Sequence, residues 1–292
     1  MSTPATQRPN IIFIVADDLG FADLGCYGGR DAQFGGVSPV LDQLAANGLK
    51  FTNGYANSPV CSPTRFALMT ARYQYRLRGA AEEPINSRSR HSTTLGLPPS
   101  HPTLPSTLKA AGYRTALIGK WHLGSLPSFG PLKSGYQKFF GNYGGAIDYF
   151  THKPGVGAAV PRDLYEGEVP VNRVGYYTQL LADEASVSAA RAAMDRSDFI
   201  PGFMDVYRHL KADGLGFATT TGYTRRIMTP LIEKAYAQGF EPSLVICCDD
   251  ILRSRPDPMG VEQCLKAMQL TGQAGQVIKV DDTAPGLAEG LA

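Results

Sequence analysis

The chain has 292 residues, 28 lysines and arginines against 26 aspartates and glutamates (formal net charge +2), and 43% hydrophobic against 18% charged residues. That length supports one large or two small domains with a sizeable core, and the near-neutral balance, with cations scattered along the chain, argues against nucleic acid or membrane as a partner. The five cysteines, Cys26, Cys61, Cys247, Cys248 and Cys264, are odd in number and lack zinc-like spacing, which argues against a disulfide framework. With a polar start and no apolar run of membrane-spanning length, a reducing cytoplasm is the expected location.

Ile11-Ile12-Phe13-Ile14-Val15-Ala16 is a continuous apolar run that predicts a buried parallel strand. Asp17-Asp18 follows, at the edge where ligands bind in open α/β sheets. The pair suits a hard divalent cation held through oxygen, or one aspartate capping the next turn. Ser38, Pro39 and Gly48 bracket a helix as N-cap, first position and stop. Phe51–Asn57 predicts a short strand. A helical pattern over Thr64–Thr70 puts Cys61, in Pro59-Val60-Cys61-Ser62-Pro63-Thr64-Arg65, near a helix N-terminus, where the dipole and free amides favour anions.

The polar stretch Ser87–His101 reads as a surface loop. Thr103–Ala111 reads as a helix stopped by Gly112, and Tyr113–Ile118 as a second buried strand. Lys120 and His122 then fall on one face if the backbone stays extended. A fixed cation beside an imidazole suits an anionic, oxygen-rich substrate, with lysine as a point charge and histidine protonating a leaving group; an exposed strand end explains the same two residues. Leu126–Gly157 reads as loops with short strands, and Gly175–Met194 as a helix. Past residues 190–198 the pattern becomes regular: helix Pro201–Ala212, strand Leu215–Ala218, helix Thr224–Gln238, strand Leu244–Cys248, helix Val261–Leu270, strand Val277–Val280. Such alternation predicts a doubly wound parallel sheet.

Cys61-x-Pro63-x-Arg65 with its flanks, and Gly112-Tyr113-Arg114-Thr115 through Gly119-Lys120-Trp121-His122, resemble the two signature segments of the type I sulfatases. The resemblance runs from about Asn10 to about Arg191, and the first motif departs only where Ala71 replaces the usual closing glycine. It implies that a formylglycine-generating maturation enzyme oxidises Cys61, and that one hydroxyl of the hydrated aldehyde attacks the sulfur of a small anionic ester while the other later expels sulfate. It implies that Asp17 and Asp18, with the oxygen at Cys61, hold Ca2+ (or Mg2+). Arg65 would steady the hydrate, Lys120 would contact sulfate, and His122 would assist at the nucleophile or leaving oxygen. The family's later Asp-Asn or Asp-Gln metal pair and its further His and Lys have no recognisable counterpart after His122, where the remaining histidines are His152 and His209.

From about Ser197 the chain resembles phosphonoacetaldehyde hydrolase of the haloacid dehalogenase superfamily. The carriers are Ile200-Pro201-Gly202, Thr219-Thr220-Thr221-Gly222-Tyr223-Thr224-Arg225, Arg253-Ser254-Arg255-Pro256-Asp257-Pro258 and Lys279-Val280-Asp281-Asp282-Thr283-Ala284-Pro285-Gly286. The resemblance implies that Thr220 or Thr221, with the Gly222 amide, binds a phosphoryl group, that Arg255 neutralises it, and that Asp282 helps hold Mg2+. Singly, each also reads as a polar strand end or, for Asp282, a helix N-cap. That family's nucleophilic aspartate and Schiff-base lysine precede the matched region and have no counterpart here.

These readings predict an α/β chain: a partial alkaline-phosphatase/sulfatase-like sheet in a truncated domain at 1–192, then a partial Rossmann-like sheet in a truncated domain at 193–292. Three functions follow: a sulfuric ester hydrolase using formylglycine at Cys61 with an incomplete site, a carbon–phosphorus bond hydrolase using the later motifs, or a non-catalytic fusion of two enzyme fragments. Of the two activities, the sulfatase keeps the fuller set of residues. Cut parallel sheets leave edges and apolar faces without partners, which predicts low solubility or a molten state.

Overall fold

A parallel strand persists only where a neighbour takes its backbone hydrogen bonds, and this decides which of the predicted strands form. The computed structural model describes residues 8–29, 36–77, 85, 92–154, 160–193, 198–281 and 283–290, and its contacts divide the chain into two units, Met1–Tyr177 and Thr178–Ala292.

In the first unit, α1 (Pro39–Asn47) starts behind Ser38, whose hydroxyl donates to Asp42 at 3.0 Å and accepts from the Gly25 amide at 2.9 Å. Helix α2 (Cys61–Thr70) begins earlier than its periodicity suggests, because Pro63 is harmless in a first turn whose amides need no intrahelical partner. It ends on Ala71 at φ +54°, the left-handed position where the related motif carries glycine. Helix α3 (Leu104–Ala110) is fixed by a capping box: Thr103 Oγ1 accepts from the Ser106 amide at 3.1 Å while Ser106 Oγ accepts from the Thr103 amide at 2.8 Å.

Strand β1 (Ala116–Lys120) pairs in parallel with β2 (Lys138–Asn142), which pairs antiparallel with β3 (Tyr165–Glu166), itself paired with β4 (Val169–Pro170). Gly119 faces Gly141, where an added Cβ on Gly141 would lie 1.9 Å from the Gly119 carbonyl. Phe66 of α2, Leu97, Trp121, Leu123, Phe139 and Tyr143 form the core, with Ile85 at its margin.

Helix α4 (Tyr177–Ala193) starts on the last residue of the first unit and otherwise belongs to the second. In the second unit follow α5 (Phe203–Ala212), β5 (Ala218–Thr220), α6 (Arg225–Ala237), β6 (Leu244–Ile246), α7 (Met259–Ala267) and α8 (Ala284–Glu289). Strands β5 and β6 are parallel, and α7 packs on both. Phe199, Phe203, Tyr207, Phe217 and Phe240 form an aromatic cluster, and Arg226 of α6 pairs with Glu184 of α4.

Three strand expectations are corrected. Ile11–Ala16 has no ladder partner among the described residues and is exposed, with Ile12 at 76% and Ile14 at 79%. Phe51–Asn57 is turns and bends. Val277–Val280 belongs to no ladder, and Ile278 is 85% exposed, so the sheet of the second unit has two strands among the described residues. Ile11–Ala16 and Val277–Val280 have strand propensity but no adjacent strand edge among the described residues, whereas Asn53-Gly54 breaks the Phe51–Asn57 segment.

Candidate active site

The tight turn at Asp17-Asp18, with Asp18 at φ +58°, presents two carboxylates beside the first residue of α2. Aspartate tolerates this left-handed conformation better than most residues. One oxygen from each carboxylate and Cys61 Sγ all lie within 4.8 Å of one another. Arg65, one helical turn after Cys61 and so on the same face, donates to Asp17 at 3.2 Å and to the Lys120 carbonyl at 2.7 Å. Lys120, the last residue of β1, donates its ammonium to Asp17 at 2.8 Å. Burial raises the Asp17 pKa, but the Lys120 ammonium and the Arg65 guanidinium outweigh it and hold the carboxyl below its ordinary value. Thus Asp17, Asp18, Cys61, Arg65 and Lys120 converge, although their sequence positions span more than a hundred residues.

His122 departs from expectation. The backbone does not stay extended past β1: His122 has φ +56°, and its ring turns inward to 7% exposure. Its Nε2 lies 2.6 Å from the Ile85 carbonyl. A carbonyl only accepts, so Nε2 carries the hydrogen and Nδ1 is the bare nitrogen of the neutral ring. Nδ1 is buried without a hydrogen-bond partner among the described residues. Burial above all, with the charges of Lys120 and Arg65, pushes the imidazole pKa down to about 4, although the Ile85 bond opposes this. At neutral pH the ring is uncharged, so in this state it has no proton to spare for a leaving group.

Two residues that sequence reasoning passed over hold this histidine. Ile85 bridges it to α2, since the Ile85 amide donates to Ser62 Oγ at 2.9 Å while its carbonyl takes the His122 bond. Gly145 makes room for the ring: a Cβ there would sit 2.5 Å from the imidazole. The turn bearing Gly145 is anchored by buried Asp163, which accepts from the Gly144 amide at 2.7 Å. No motif marks Ile85, and only an unusual run, Gly144-Gly145, hints at the other.

A second polar cluster lies in the second unit. Thr220, at the end of β5, meets Arg255 Nη2 (3.0 Å), Lys279 Nζ (2.8 Å) and Glu289 (2.8 Å) through its hydroxyl. Asp281 completes the cluster, 3.0 Å from Arg255 and 3.4 Å from Lys279. The Thr283 hydroxyl and amide, reinforced by both cations, hold the Asp281 pKa down at about 2. Of the expected phosphoryl-binding set, Thr220 and Arg255 therefore meet. The Thr221 hydroxyl instead accepts from the Tyr223 amide at 3.2 Å, and Gly222 faces open space. Asp282 lies outside the described residues. Lys279, Asp281 and Glu289 were not singled out as site residues from sequence; Glu289 is 69 positions from Thr220 and belongs to no recognised motif.

An α/β sheet with acidic and basic side chains gathered at the end of β1, beside a helix-start cysteine, defines a candidate hydrolase centre for an anionic substrate. The sulfatase family model matches residues 9–200. That is more than half of the chain, and the chain belongs to the sulfatase family. Steryl-sulfatase from Mus musculus is 43% identical over 266 residues, covering 88% of this chain, and so past the end of the first unit, but 38% of the relative. The crystal structure of Ps i-CgsB overlays with a TM-score of 0.55 at 31% identity, covering 65% of this chain and 43% of that one. A phosphonoacetaldehyde hydrolase-like protein from Oleispira antarctica overlays with a TM-score of 0.37 at 31% identity over 41% of this chain and 44% of its own. The chain spans 33% and 38% of the length of the first curated relatives it matches. Among the described residues no helix is long and apolar enough to cross a membrane.

Proposed function

We propose that the first unit carries the nucleophile side of a sulfatase centre and that the chain acts on small sulfate esters after Cys61 is converted to formylglycine. The observation that carries this reading is the convergence of Asp17, Asp18, Cys61, Arg65 and Lys120. The donor set fits a hard divalent cation once Cys61 is converted: two carboxylates with an oxygen in place of the thiol sulfur, all within 4.8 Å. Asp17 and Asp18 would hold Ca2+ (or Mg2+), with further ligands from water or from groups beyond the described residues. Bound there, the cation and formylglycine supply a polarised sulfate and an oxygen nucleophile.

The remaining work falls to this chain's side chains. Lys120 and Arg65 both reach Asp17, at 2.8 and 3.2 Å, and so stand where they would meet the oxygens of a sulfate bound beside that carboxylate. His122, neutral and buried, holds the turn beside Lys120 in this arrangement rather than exchanging a proton with the substrate. The implied partners are a formylglycine-generating maturation enzyme and an anionic ester, in a cytoplasmic setting.

The test is release of sulfate from a chromogenic aryl sulfate by chain co-expressed with the maturation enzyme. Calcium-dependent turnover that Cys61→Ala abolishes is expected; no turnover above that of Cys61→Ala, with calcium present, would contradict it.

For the second unit, the meeting of Thr220 and Arg255 with Lys279 and Asp281 favours a phosphoryl-type anion site of the dehalogenase pattern, with Asp282 as its Mg2+ ligand. Without that pattern's nucleophile and Schiff-base lysine, this unit binds rather than turns over. The chain then reads as two enzyme-like parts fused, with chemistry confined to the first.

A further inference from the structure

Glu289 has no role in either reading, yet it is the most deeply buried acid of the second unit's cluster. Its side chain is 1% exposed. Oε2 accepts from the Thr220 hydroxyl at 2.8 Å and the Lys279 ammonium at 3.1 Å. Arg255 Nε stands 3.1 Å away but is misaligned, so among the described residues it is buried without a hydrogen bond. Glu289 Oε1 is also buried without a hydrogen-bond partner among the described residues. A hydroxyl and two cations therefore converge on a single carboxylate oxygen, while one donor and one acceptor beside it go unsatisfied. Unsatisfied buried groups are rare and destabilising, and a flat carboxylate is a poor match for donors arriving from three directions. A tetrahedral oxyanion, with oxygens on several sides, matches them better. Gly260 of α7 makes the present arrangement sterically possible, since a Cβ there would lie 2.4 Å from Glu289 Oε1.

We propose that Glu289 occupies from within an oxyanion seat formed by Thr220, Lys279 and Arg255, and that a phosphate-type dianion takes this seat when Glu289 is displaced. The proposal rests on the anion-site reading of the second unit. In the closed arrangement Asp281 and Glu289 balance Arg255 and Lys279; with Glu289 out, one positive charge is uncompensated and attracts the dianion.

The experiment is calorimetric titration of the full chain with inorganic phosphate, comparing wild type with Glu289→Ala and with Gly260→Ala, whose new methyl pushes the carboxylate out while leaving it in the chain. Both variants are expected to bind phosphate at least about tenfold more tightly than wild type, roughly 1.4 kcal/mol, and Arg255→Leu added to Glu289→Ala is expected to erase the gain. Wild type binding as tightly as both variants would leave the anion site standing and overturn the self-occupancy. Binding by none of the three would overturn the anion site itself. Should Glu289→Ala melt early, phosphate is expected to raise its melting temperature by more than it raises that of wild type; no such rise would contradict the proposal.

Discussion

His122 is the residue at which chain geometry most changes the chemistry. Sequence places it two positions from Lys120; the positive φ at His122 turns it away from that face and into the core. Its pKa of about 4 makes a pH prediction with a definite sign. The unfolded chain protonates this imidazole near 6.5 while the folded chain resists until about 4. Stability is therefore complete above 6.5 and falls as pH drops through that window, by roughly 3 kcal/mol in all. An NMR titration of the His122 ring should show a midpoint near 4; a midpoint near 6.5 would mean that the ring is solvated. Asp17, Asp18, Cys61, Arg65 and Lys120 were legible in the sequence because each sits in a short motif whose spacing survives folding. The inward turn of His122 and the part played by Ile85 were not, because they depend on one backbone dihedral and one long-range hydrogen bond that leave no compositional trace.

Among the elements, helices proved easier to read than strands. Helices α1, α2 and α3 carry their own signals in Ser38, Pro63 and the Thr103/Ser106 box, and satisfy their backbone internally. A strand's partner is elsewhere in the chain, so Ile11–Ala16 and Val277–Val280 satisfy every local criterion and still form no ladder among the described residues. The consequence is physical: Ile12 and Ile14 are more than three-quarters exposed beside open backbone groups, the pattern of an aggregation-prone edge. Replacing both with lysine should lower light scattering and the sedimenting fraction at moderate protein concentration. Unchanged aggregation would show that the segment is covered in solution.

At the scale of the whole molecule, family membership and function separate. The sulfatase match runs over residues 9–200, whereas contacts close the first unit at Tyr177, so α4 belongs to the match but packs with the second unit. The composition shift near residue 190 follows the end of the family match rather than the contact boundary, because packing partners are invisible to composition. Within the first unit, Cys61, the carboxylates of Asp17 and Asp18, and the cations of Arg65 and Lys120 come together. The central claim, that Cys61 is a sulfatase nucleophile in waiting, therefore stands or falls on that residue. The direct measurement is the mass of the proteolytic peptide spanning Cys61 from chain co-expressed with a formylglycine-generating enzyme. The account predicts an aldehyde in place of the thiol, trappable by a hydrazide reagent; a peptide carrying only unmodified cysteine would contradict it.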